Sequence, residues 1–316
     1  MNAVEGCFVG VDLGGTGSRA VSVVNGELAI AKDVPSALLG AGGEDERVER
    51  LQRLIKDVVP ADTDLNAVGI GASGPVDVRT RVIHNSATLP WFSGFPLVDR
   101  LERRLAAPVG IDNDAVAAAF GEYSVGAGAR SNRMLMVTLG TGVGAAMLID
   151  GRPFRGADGA HPEGGHIPIG GDSEPCYCGL TGCFEQLASR TALQKSLSVA
   201  LGGVPLGKEL IGNAVSEAPK NAAVRRVFFE YAGAVARGLG ALHSLYQPHA
   251  TVIGGSAAVC LPLIIDDLYR GLQRSPEFSV DVELRGATLG DNAGSIGAAM
   301  EIARRGSGPT ADILEG

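Results

Sequence analysis

Three of the chain's five cysteines fall within eight residues, and this cluster restricts the fold more than any other feature of the sequence. The segment runs from Cys176 to Cys183, with Glu163-Gly164-Gly165-His166 shortly before it and Glu185 just after it. Thiolate sulfur and imidazole nitrogen are the ligands that tetrahedral zinc prefers. Gly179 and Gly182 allow the backbone to turn back, so that all three thiols can reach one ion. The cluster therefore predicts a zinc-binding loop, whose flanking carboxylates can face a ligand.

Unrelated thiols and a disulfide are the two alternatives to a metal site at the cysteine cluster. Three unrelated buried thiols would be an unusual coincidence in a chain with five cysteines. A disulfide is disfavoured because the cysteine count is odd and the sequence shows no signal peptide.

Length and composition limit the class of protein. A chain of 316 residues exceeds the size at which a single core usually stops growing, so two domains are expected. The net charge of −8 argues against a nucleic-acid partner. No apolar run is long enough for a membrane span, and we expect a cytoplasmic protein. The 46 glycines cluster after apolar runs, which indicates close approach of backbone to ligands.

Strands and helices alternate in the first half of the chain, which predicts an α/β domain. Asn25-Gly26, between Val24 and Leu28, is a strong hairpin turn signal. The predicted strands are 8–12, 20–24, 67–72 and 108–112, and the predicted helices are 44–58, 96–106 and 115–123.

The second half repeats the pattern of a strand followed by a Gly-rich turn that contains threonine. Asp150-Gly151 predicts a hairpin turn, and mostly helices follow the cysteine loop. The predicted strands are 134–139, 145–149 and 251–253, and the predicted helices are 222–246 and 293–304.

The Gly-rich turns carry the first chemical signal. Asp12-Leu13-Gly14-Gly15-Thr16 and Thr138-Leu139-Gly140-Thr141-Gly142 each offer backbone N–H groups and a hydroxyl, which suit phosphate oxygens. Asp12 stands at a strand end, where it can hold Mg²⁺ through water. Each turn alone is equally compatible with a tight hairpin, but together with Gly254-Gly255 they indicate a bound nucleotide. The Gly-Lys-Ser/Thr phosphate loop and a dinucleotide fingerprint are both absent from the sequence.

Asn113-Asp114 lies between a predicted strand and a predicted helix. A carboxylate at this place is a candidate catalytic group, and the alternative is an N-cap for the helix that begins at Ala115. The neighbouring motifs give weight to the catalytic interpretation.

Together these segments resemble the ROK family (repressor, open reading frame, kinase) of the actin-like ATPase superfamily. The resemblance runs from Val9 to about Arg304. The most specific part is Glu-x-Gly-His followed by Cys-x-Cys-Gly-x-x-Gly-Cys-x-Glu. The other matching segments are Asp12–Thr16, Gly69–Asp77, Asn113-Asp114, Leu139–Gly144 and Gly254-Gly255.

The resemblance implies an α/β fold with two ribonuclease-H-like domains, an interdomain cleft and a zinc-binding loop. We expect a smaller N-terminal domain of residues 1–114 plus 293–305. A larger C-terminal domain of residues 115–292 would carry the zinc loop, and residues 306–316 would form a flexible tail.

The resemblance also implies roles for individual residues. Asp114 looks like the general base that accepts the proton of a sugar 6-hydroxyl. The implied sugar ligands are Asn113, Asp114, Glu163, His166, Glu185 and Gly74, and the implied zinc ligands are His166, Cys176, Cys178 and Cys183. The implied ATP-binding residues are Asp12, Gly14, Gly15, Thr16, Thr138, Gly140, Thr141, Gly142, Gly254 and Gly255.

The sequence departs from the family's usual pattern near the expected sugar ligands. Val116 stands where asparagine is common, and His161-Pro162 replaces Ala-Gly before Glu163. Ser73 and Thr88 replace a common proline and a frequent asparagine. His161 is either a ligand contact or a solvent-exposed loop residue.

The resemblance therefore implies an ATP-dependent hexose kinase that acts at the 6-hydroxyl and uses ATP, Mg²⁺ and Zn²⁺. The expected substrate is glucose or a close aminosugar, such as N-acetylglucosamine or a 3-amino-glucose. The enzyme alternative is a kinase for N-acetylmannosamine or fructose. The alternative of another class is a sugar-sensing transcriptional regulator, which the early first strand and the negative charge disfavour. The resemblance further implies a homodimer, while the net charge argues against binding to nucleic acid and the lack of a long apolar run argues against a membrane partner.

Overall fold

The structure is a computed structural model that describes residues 5–170, 174–275, 281 and 283–306. The predicted flexible tail, 306–316, lies outside the described residues except for Gly306, at which the last helix ends. No helix in the described part of the chain combines the length and the apolar character that crossing a membrane requires.

The first sheet has five strands in the order β3-β2-β1-β4-β7, with β5 and β6 forming a separate pair. Strands β1 to β3 run antiparallel, while β4 and β7 are parallel to β1. The strands are β1 Cys7–Leu13, β2 Gly17–Val24, β3 Glu27–Pro35, β4 Leu65–Ala72, β5 Val76–Asp77, β6 Val82–Ile83 and β7 Val109–Asn113.

The turn between β2 and β3 confirms the predicted hairpin. Asn25 and Gly26 both have positive φ angles, of 50° and 86°. These angles suit the right-handed twist of the two strands, and asparagine and glycine adopt them at little cost.

Five helices belong with this sheet, and the last of them lies directly against it. The helices are α1 Ser36–Gly40, α2 Glu44–Asp57, α3 Leu97–Leu105, α4 Asp114–Val125 and α10 Ala293–Gly306. Gly297 of α10 lies so close to α4 that a Cβ there would collide with the carbonyl oxygen of Ala117. Because the obstacle is backbone, it could not move aside cheaply.

The second sheet has the order β10-β9-β8-β11-β12. Its strands are β8 Arg133–Leu139, β9 Val143–Ile149, β10 Arg152–Pro153, β11 Ala250–Gly254 and β12 Glu283–Gly286. Read along the chain, each five-stranded sheet places its strands in the order third, second, first, fourth, fifth. This shared topology explains why the two halves of the sequence show the same strand-and-turn pattern.

The remaining helices follow the cysteine loop. They are α5 Phe184–Ala188, α6 Arg190–Ala200, α7 Leu210–Glu217, α8 Ala222–Tyr246 and α9 Leu261–Leu272. Helix α8 has the predicted bounds and ends where Gln247 adopts a left-handed conformation before Pro248. Within it, His243 is 4% exposed and its Nε2 lies 2.9 Å from the Thr251 hydroxyl, within hydrogen-bond distance. Burial lowers the pKa of His243 to about 4, and the nearby Arg274 acts in the same direction.

The described chain divides into two compact units. The first contains the chain up to Arg130, Leu148–Pro162 and the chain from Thr288, and the second contains Ser131–Met147 and Glu163–Ala287. This division differs from the predicted boundary at residue 114, because α4 packs on α10 and on β4 of the first unit.

Candidate functional site

The predicted catalytic pair lies where β7 ends and α4 begins. Asn113 caps α4, since its Oδ1 accepts hydrogen bonds from the backbone N–H groups of Ala115 at 2.8 Å and Val116 at 3.4 Å. Its Nδ2 donates to the carbonyl of Gly74 at 3.1 Å. The structure thus brings together Asn113 and Gly74, two of the predicted sugar ligands, and Asn113 also has the capping role.

Asp114 is the first residue of α4 and leaves the capping role to its neighbour. Its Oδ1 accepts a hydrogen bond from the backbone N–H of Ala115 at 2.8 Å. Burial raises the pKa of the Asp114 carboxyl, while hydrogen bonds from Ser73 and Ala115 oppose the rise. A carboxylate whose pKa is raised towards neutrality is a better general base than a solvated one.

Buried ion pairs lie behind this pair of residues. Asp112 is 1% exposed, and its Oδ1 accepts a hydrogen bond from the backbone N–H of Asn113 at 2.8 Å. Its Oδ2 forms ion pairs with Arg155 and Arg305. Because removing one partner of a buried pair leaves an uncompensated charge, this arrangement holds the end of β7 in place.

Asp12 is the second-to-last residue of β1, in the same unit. Burial raises its pKa to about 7, the carboxylates of Asp114 and Asp291 add to the rise, and Arg19 opposes it. A buried carboxylate with further carboxylates nearby fits a divalent cation, because the charge of the cation would relieve their repulsion. The donor set is therefore suited to Mg²⁺.

The loop after β1 contains the predicted phosphate contacts Gly14, Gly15 and Thr16. Ser36 stabilises this turn, since its hydroxyl donates to the carbonyl of Gly14 at 2.5 Å and its N–H donates to the carbonyl of Thr16 at 3.1 Å. Thr16 itself is exposed. The hydrogen bonds from Ser36 therefore hold the turn in place, while Thr16 at its tip faces solvent.

The second unit carries its two Gly-rich loops side by side. Parallel pairing places Gly254 of β11 opposite Thr138 of β8. Gly255 has φ of 81°, and a Cβ on it would lie 2.6 Å from the backbone of Leu139. The turn at 140–142 is closed by a hydrogen bond from Gly140 N–H to Gly142 O at 2.9 Å. The predicted nucleotide contacts Thr138, Gly140, Thr141, Gly142, Gly254 and Gly255 therefore meet at one edge of the sheet.

Arg190, which begins α6, contacts both of these loops and was not predicted from the sequence. Its Nη2 donates to the Thr141 hydroxyl at 2.9 Å and its Nη1 donates to the Ser256 hydroxyl at 3.2 Å. Its backbone N–H also donates to the carbonyl of Gly140 at 2.8 Å. No local sequence pattern signals these contacts, because they join segments that are distant along the chain.

The predicted zinc ligands come together. The ligand atoms of His166, Cys176, Cys178 and Cys183 all lie within 4.8 Å of one another. The Sγ atoms of Cys178 and Cys183 are 3.6 Å apart, and His166 Nδ1 is 3.6 Å from Cys176 Sγ. Zinc bonds of about 2.0–2.3 Å in a tetrahedron would separate such ligands by roughly 3.5–3.8 Å. The cluster has a suitable size and chemistry for zinc.

The loop geometry follows the predicted use of glycine. Gly179 and Gly182 have φ angles of 92° and 68°, which residues with a Cβ rarely adopt. All five cysteines are free thiols in the structure. These turns fold the segment back on itself, so the three clustered cysteines are neighbours in space and not unrelated thiols.

The second nitrogen of His166 has a partner that the sequence did not predict. His166 Nε2 lies 3.0 Å from the hydroxyl of Tyr177, whose ring stands edge-on to the imidazole. Tyr177 is 71% exposed. A sugar hydroxyl that bonds to this nitrogen must therefore displace an exposed tyrosine.

Glu185 and Glu163 lie near the same loop. Glu185 Oε2 accepts a hydrogen bond from the backbone N–H of Val143 at 3.0 Å, and a Cβ on Gly142 would collide with it. Glu163 is exposed and precedes the short 3₁₀ turn Gly164–His166. A cavity of about 400 Å³ is lined by residues that include Thr141, Tyr177, Glu185 and Lys195.

The positions that depart from the family pattern differ in burial: Val116 is buried, Ser73, His161 and Pro162 are half-buried, and Thr88 is exposed. Val116 is 1% exposed, so it packs in the core. His161 Nδ1 is buried and has no hydrogen-bond partner in the described part of the chain. Burial lowers the pKa of His161 to about 4 against the opposing charge of Asp112. The interpretation of His161 as a solvent-exposed loop residue is therefore wrong for this nitrogen.

Comparison with known proteins identifies the family. The sequence matches the ROK family over residues 8–305. The chain belongs to the ROK family. It is 32% identical to a glucokinase from Halalkalibacterium halodurans over 92% of this chain and 93% of that protein. It is also 32% identical to a glucokinase from Streptomyces coelicolor over 95% of this chain and 98% of that protein.

Solved structures of ROK proteins share the fold. One is a ROK family glucokinase from Streptomyces griseus in complex with glucose and AMPPNP, which matches with a TM-score of 0.81 at 31% identity. The match covers 95% of this chain and 100% of that one. The predicted α/β fold of this ROK chain is thereby confirmed.

Proposed function

We propose that this ROK-family chain is an ATP-dependent kinase that phosphorylates the 6-hydroxyl of a hexose, with glucose as the first candidate. The observation that carries the proposal is its similarity, over nearly its whole length, to glucokinases, one of which is described in complex with glucose and AMPPNP. The half-buried Asp114 supports it, because phosphoryl transfer to an alcohol needs a proton acceptor.

In the proposed reaction the 6-hydroxyl oxygen attacks the γ-phosphorus of ATP. The new bond joins that oxygen to phosphorus, the bond between the γ-phosphorus and the bridging oxygen breaks, and ADP leaves. Asp114 accepts the hydroxyl proton. The raised pKa of its carboxyl supports this role, because it increases the affinity of the carboxylate for that proton.

The nucleotide is proposed to bind to backbone N–H groups and hydroxyls of the Gly-rich loops. In the first unit Asp12 would hold Mg²⁺ through water beside Gly14, Gly15 and Thr16. In the second unit the contacts are those of Thr138 to Gly142 and of Gly254-Gly255. When bound, Mg²⁺ supplies charge neutralisation for the phosphates, and the loops supply orientation.

Sugar recognition is proposed for Asn113, Asp114, Gly74, Glu163, His166 and Glu185. Amide and carboxylate side chains suit paired sugar hydroxyls because each offers more than one hydrogen-bonding atom. Zn²⁺ held by His166, Cys176, Cys178 and Cys183 would fix the loop that carries Glu185. It would also fix the imidazole tautomer, so that the other ring nitrogen donates.

A coupled assay for ADP release tests this function and separates its alternatives. The substrates are glucose, N-acetylglucosamine, a 3-amino-glucose, N-acetylmannosamine and fructose, with ATP and Mg²⁺. We expect the highest kcat/KM with glucose and no turnover with 6-deoxyglucose, which lacks the accepting hydroxyl. A higher kcat/KM with N-acetylmannosamine or fructose would replace glucose as the assigned substrate. Failure to release ADP with any hexose would refute the kinase and favour a sugar-binding regulator.

A homodimer is proposed on the family resemblance alone. Sedimentation velocity over a range of protein concentrations tests it. A single monomeric species at micromolar concentration would refute it.

A further inference from the structure

We propose that Arg190 binds the phosphates of the nucleotide and supplies the second unit's phosphate site with a positive charge. This inference rests on the proposed function, since it assigns one more residue to the same ATP. The Gly-rich loops themselves offer only neutral donors, whereas ATP brings several negative charges.

The position of Arg190 relative to the loops is the first argument. Its guanidinium bonds to Thr141 in the turn after β8 and to Ser256 in the turn after β11. Its backbone N–H is bonded to the carbonyl of Gly140. These contacts hold the cation at the edge of the sheet where both predicted nucleotide loops meet.

The unused bonding capacity of Arg190 is the second argument. A guanidinium has five N–H donors, and the contacts to Thr141 and Ser256 use two of them. Nε is buried and finds no hydrogen-bond partner among the residues that the structure describes. Because a buried donor without an acceptor costs free energy, the side chain gains when a ligand brings one.

The charge of Arg190 is the third argument. Within residues 5–170, 174–275, 281 and 283–306, no carboxylate forms an ion pair with its guanidinium. Arg190 is half-buried, and an arginine that is partly removed from water gains when an anion neutralises its charge. An unpaired guanidinium that is bonded only to two hydroxyls is suited to an arriving anion, and its planar donor set matches phosphate oxygens.

Titration of adenosine, AMP, ADP and ATP in the absence of sugar tests the inference. Arg190→Gln should weaken binding of ATP and ADP by roughly 10-fold to 100-fold, the loss expected for hydrogen bonds to a charged group. Adenosine should bind to wild type and variant about equally. The affinity of Arg190→Lys for ATP and ADP should lie between those of wild type and Arg190→Gln, because lysine keeps the charge but loses the planar set of donors. Added salt should narrow the difference between wild type and Arg190→Gln for ATP.

Arg226→Gln is the matched control, since Arg226 belongs to the same unit but pairs with Glu230 on the exposed face of α8. It should leave all four affinities unchanged. An equal loss of adenosine and ATP affinity in Arg190→Gln would overturn the inference, because it would mean that Arg190 only braces the loops. Unchanged ATP affinity would overturn it as well. Wild-type protein that neither binds ATP nor releases ADP would refute the proposed function itself, and this inference with it.

Discussion

Replacing Asp114 by asparagine separates its proposed chemistry from its structural contribution. The amide has nearly the size of the carboxyl and its Oδ1 can still accept the 2.8 Å hydrogen bond from Ala115 N–H. The N-cap of α4 comes from Asn113 and stays in place. We therefore expect Asp114→Asn to fold normally and to lose only the ability to take up a proton.

The expected loss of turnover follows from general-base catalysis. Positioned bases typically contribute about 10²–10⁴-fold, so kcat should fall by that factor, and the barrier should rise by roughly 2.7–5.4 kcal/mol. Sugar affinity should change much less, because an amide still forms hydrogen bonds with hydroxyls.

Stability should change in the opposite direction from activity. Burial raises the pKa of the Asp114 carboxyl above its unfolded value of 3.8. Its contribution to stability is therefore fully present below that pH and is lost as the pH rises through the folded pKa. Asparagine has no such loss, so the variant without ligands should be more stable than wild type at pH 7 and about equal to it at pH 3.5.

The assay combines steady-state ADP release, sugar titration and denaturant unfolding at both pH values. Asp64→Asn is the control, since Asp64 is exposed in the same unit, and it should change neither activity nor stability. Near-normal turnover in Asp114→Asn would remove Asp114 from the mechanism. A variant that is less stable than wild type at pH 7 would refute the argument from burial.

Three further outcomes are expected. Gly297→Ala should destabilise the protein by about 1–3 kcal/mol because its Cβ meets backbone. Gly212→Ala, also in a helix but with open space around it, should stabilise the protein by about 0.5–1 kcal/mol. If denaturant unfolding showed that both substitutions change the free energy of unfolding in the same direction, the packing argument would be contradicted. His243 has a folded pKa of about 4 against 6.5 unfolded, so its contribution is present above pH 6.5 and is lost, by about 3 kcal/mol, as the pH falls to 4. His243→Gln should show a shallower loss of unfolding free energy over that window, and an identical slope would exclude the role. Cys183→Ser should lower the zinc content, and His166→Ala should lower both the zinc content and the sugar affinity further. Elemental analysis measures the zinc content, and sugar titration measures the affinity. Wild-type protein that phosphorylates hexoses without zinc would refute the metal assignment.

The fold could be predicted from sequence where apolar periodicity is strong. Helix α8 was predicted with its observed bounds, because a long apolar pattern ends before Pro248. Strand β3 was not predicted, since most of its residues are exposed and show no alternation. Strand β12 was also missed, because its sequence Glu283–Gly286 is short and polar and forms only beside β11.

In the candidate site, too, contacts between residues close in sequence could be predicted, and contacts between distant segments could not. The approach of His166 to the three thiols was predicted, because the four candidate zinc ligands are close in sequence and glycines mark the turns between them. The contacts of Tyr177 with His166 and of Arg190 with Thr141 were not predicted, because they depend on how separate segments pack. The pKa of Asp12 also depends on distant residues, since Asp114 and Asp291 belong to other elements.

The two sheets use the same loop position for opposite charges. In each sheet the Gly-rich loop follows the first strand, which is the central strand of its sheet. The residue two places before the first glycine of the loop is Asp12 in one sheet and Thr138 in the other. Burial raises the pKa of Asp12 to about 7 and the carboxylates of Asp114 and Asp291 add to the rise, so that loop is suited to a cation. The loop after Thr138 has no carboxylate at this position and is bonded to the guanidinium of Arg190, so it is suited to an anion. The shared topology therefore gives the two sheets loops of opposite charge preference at the same position.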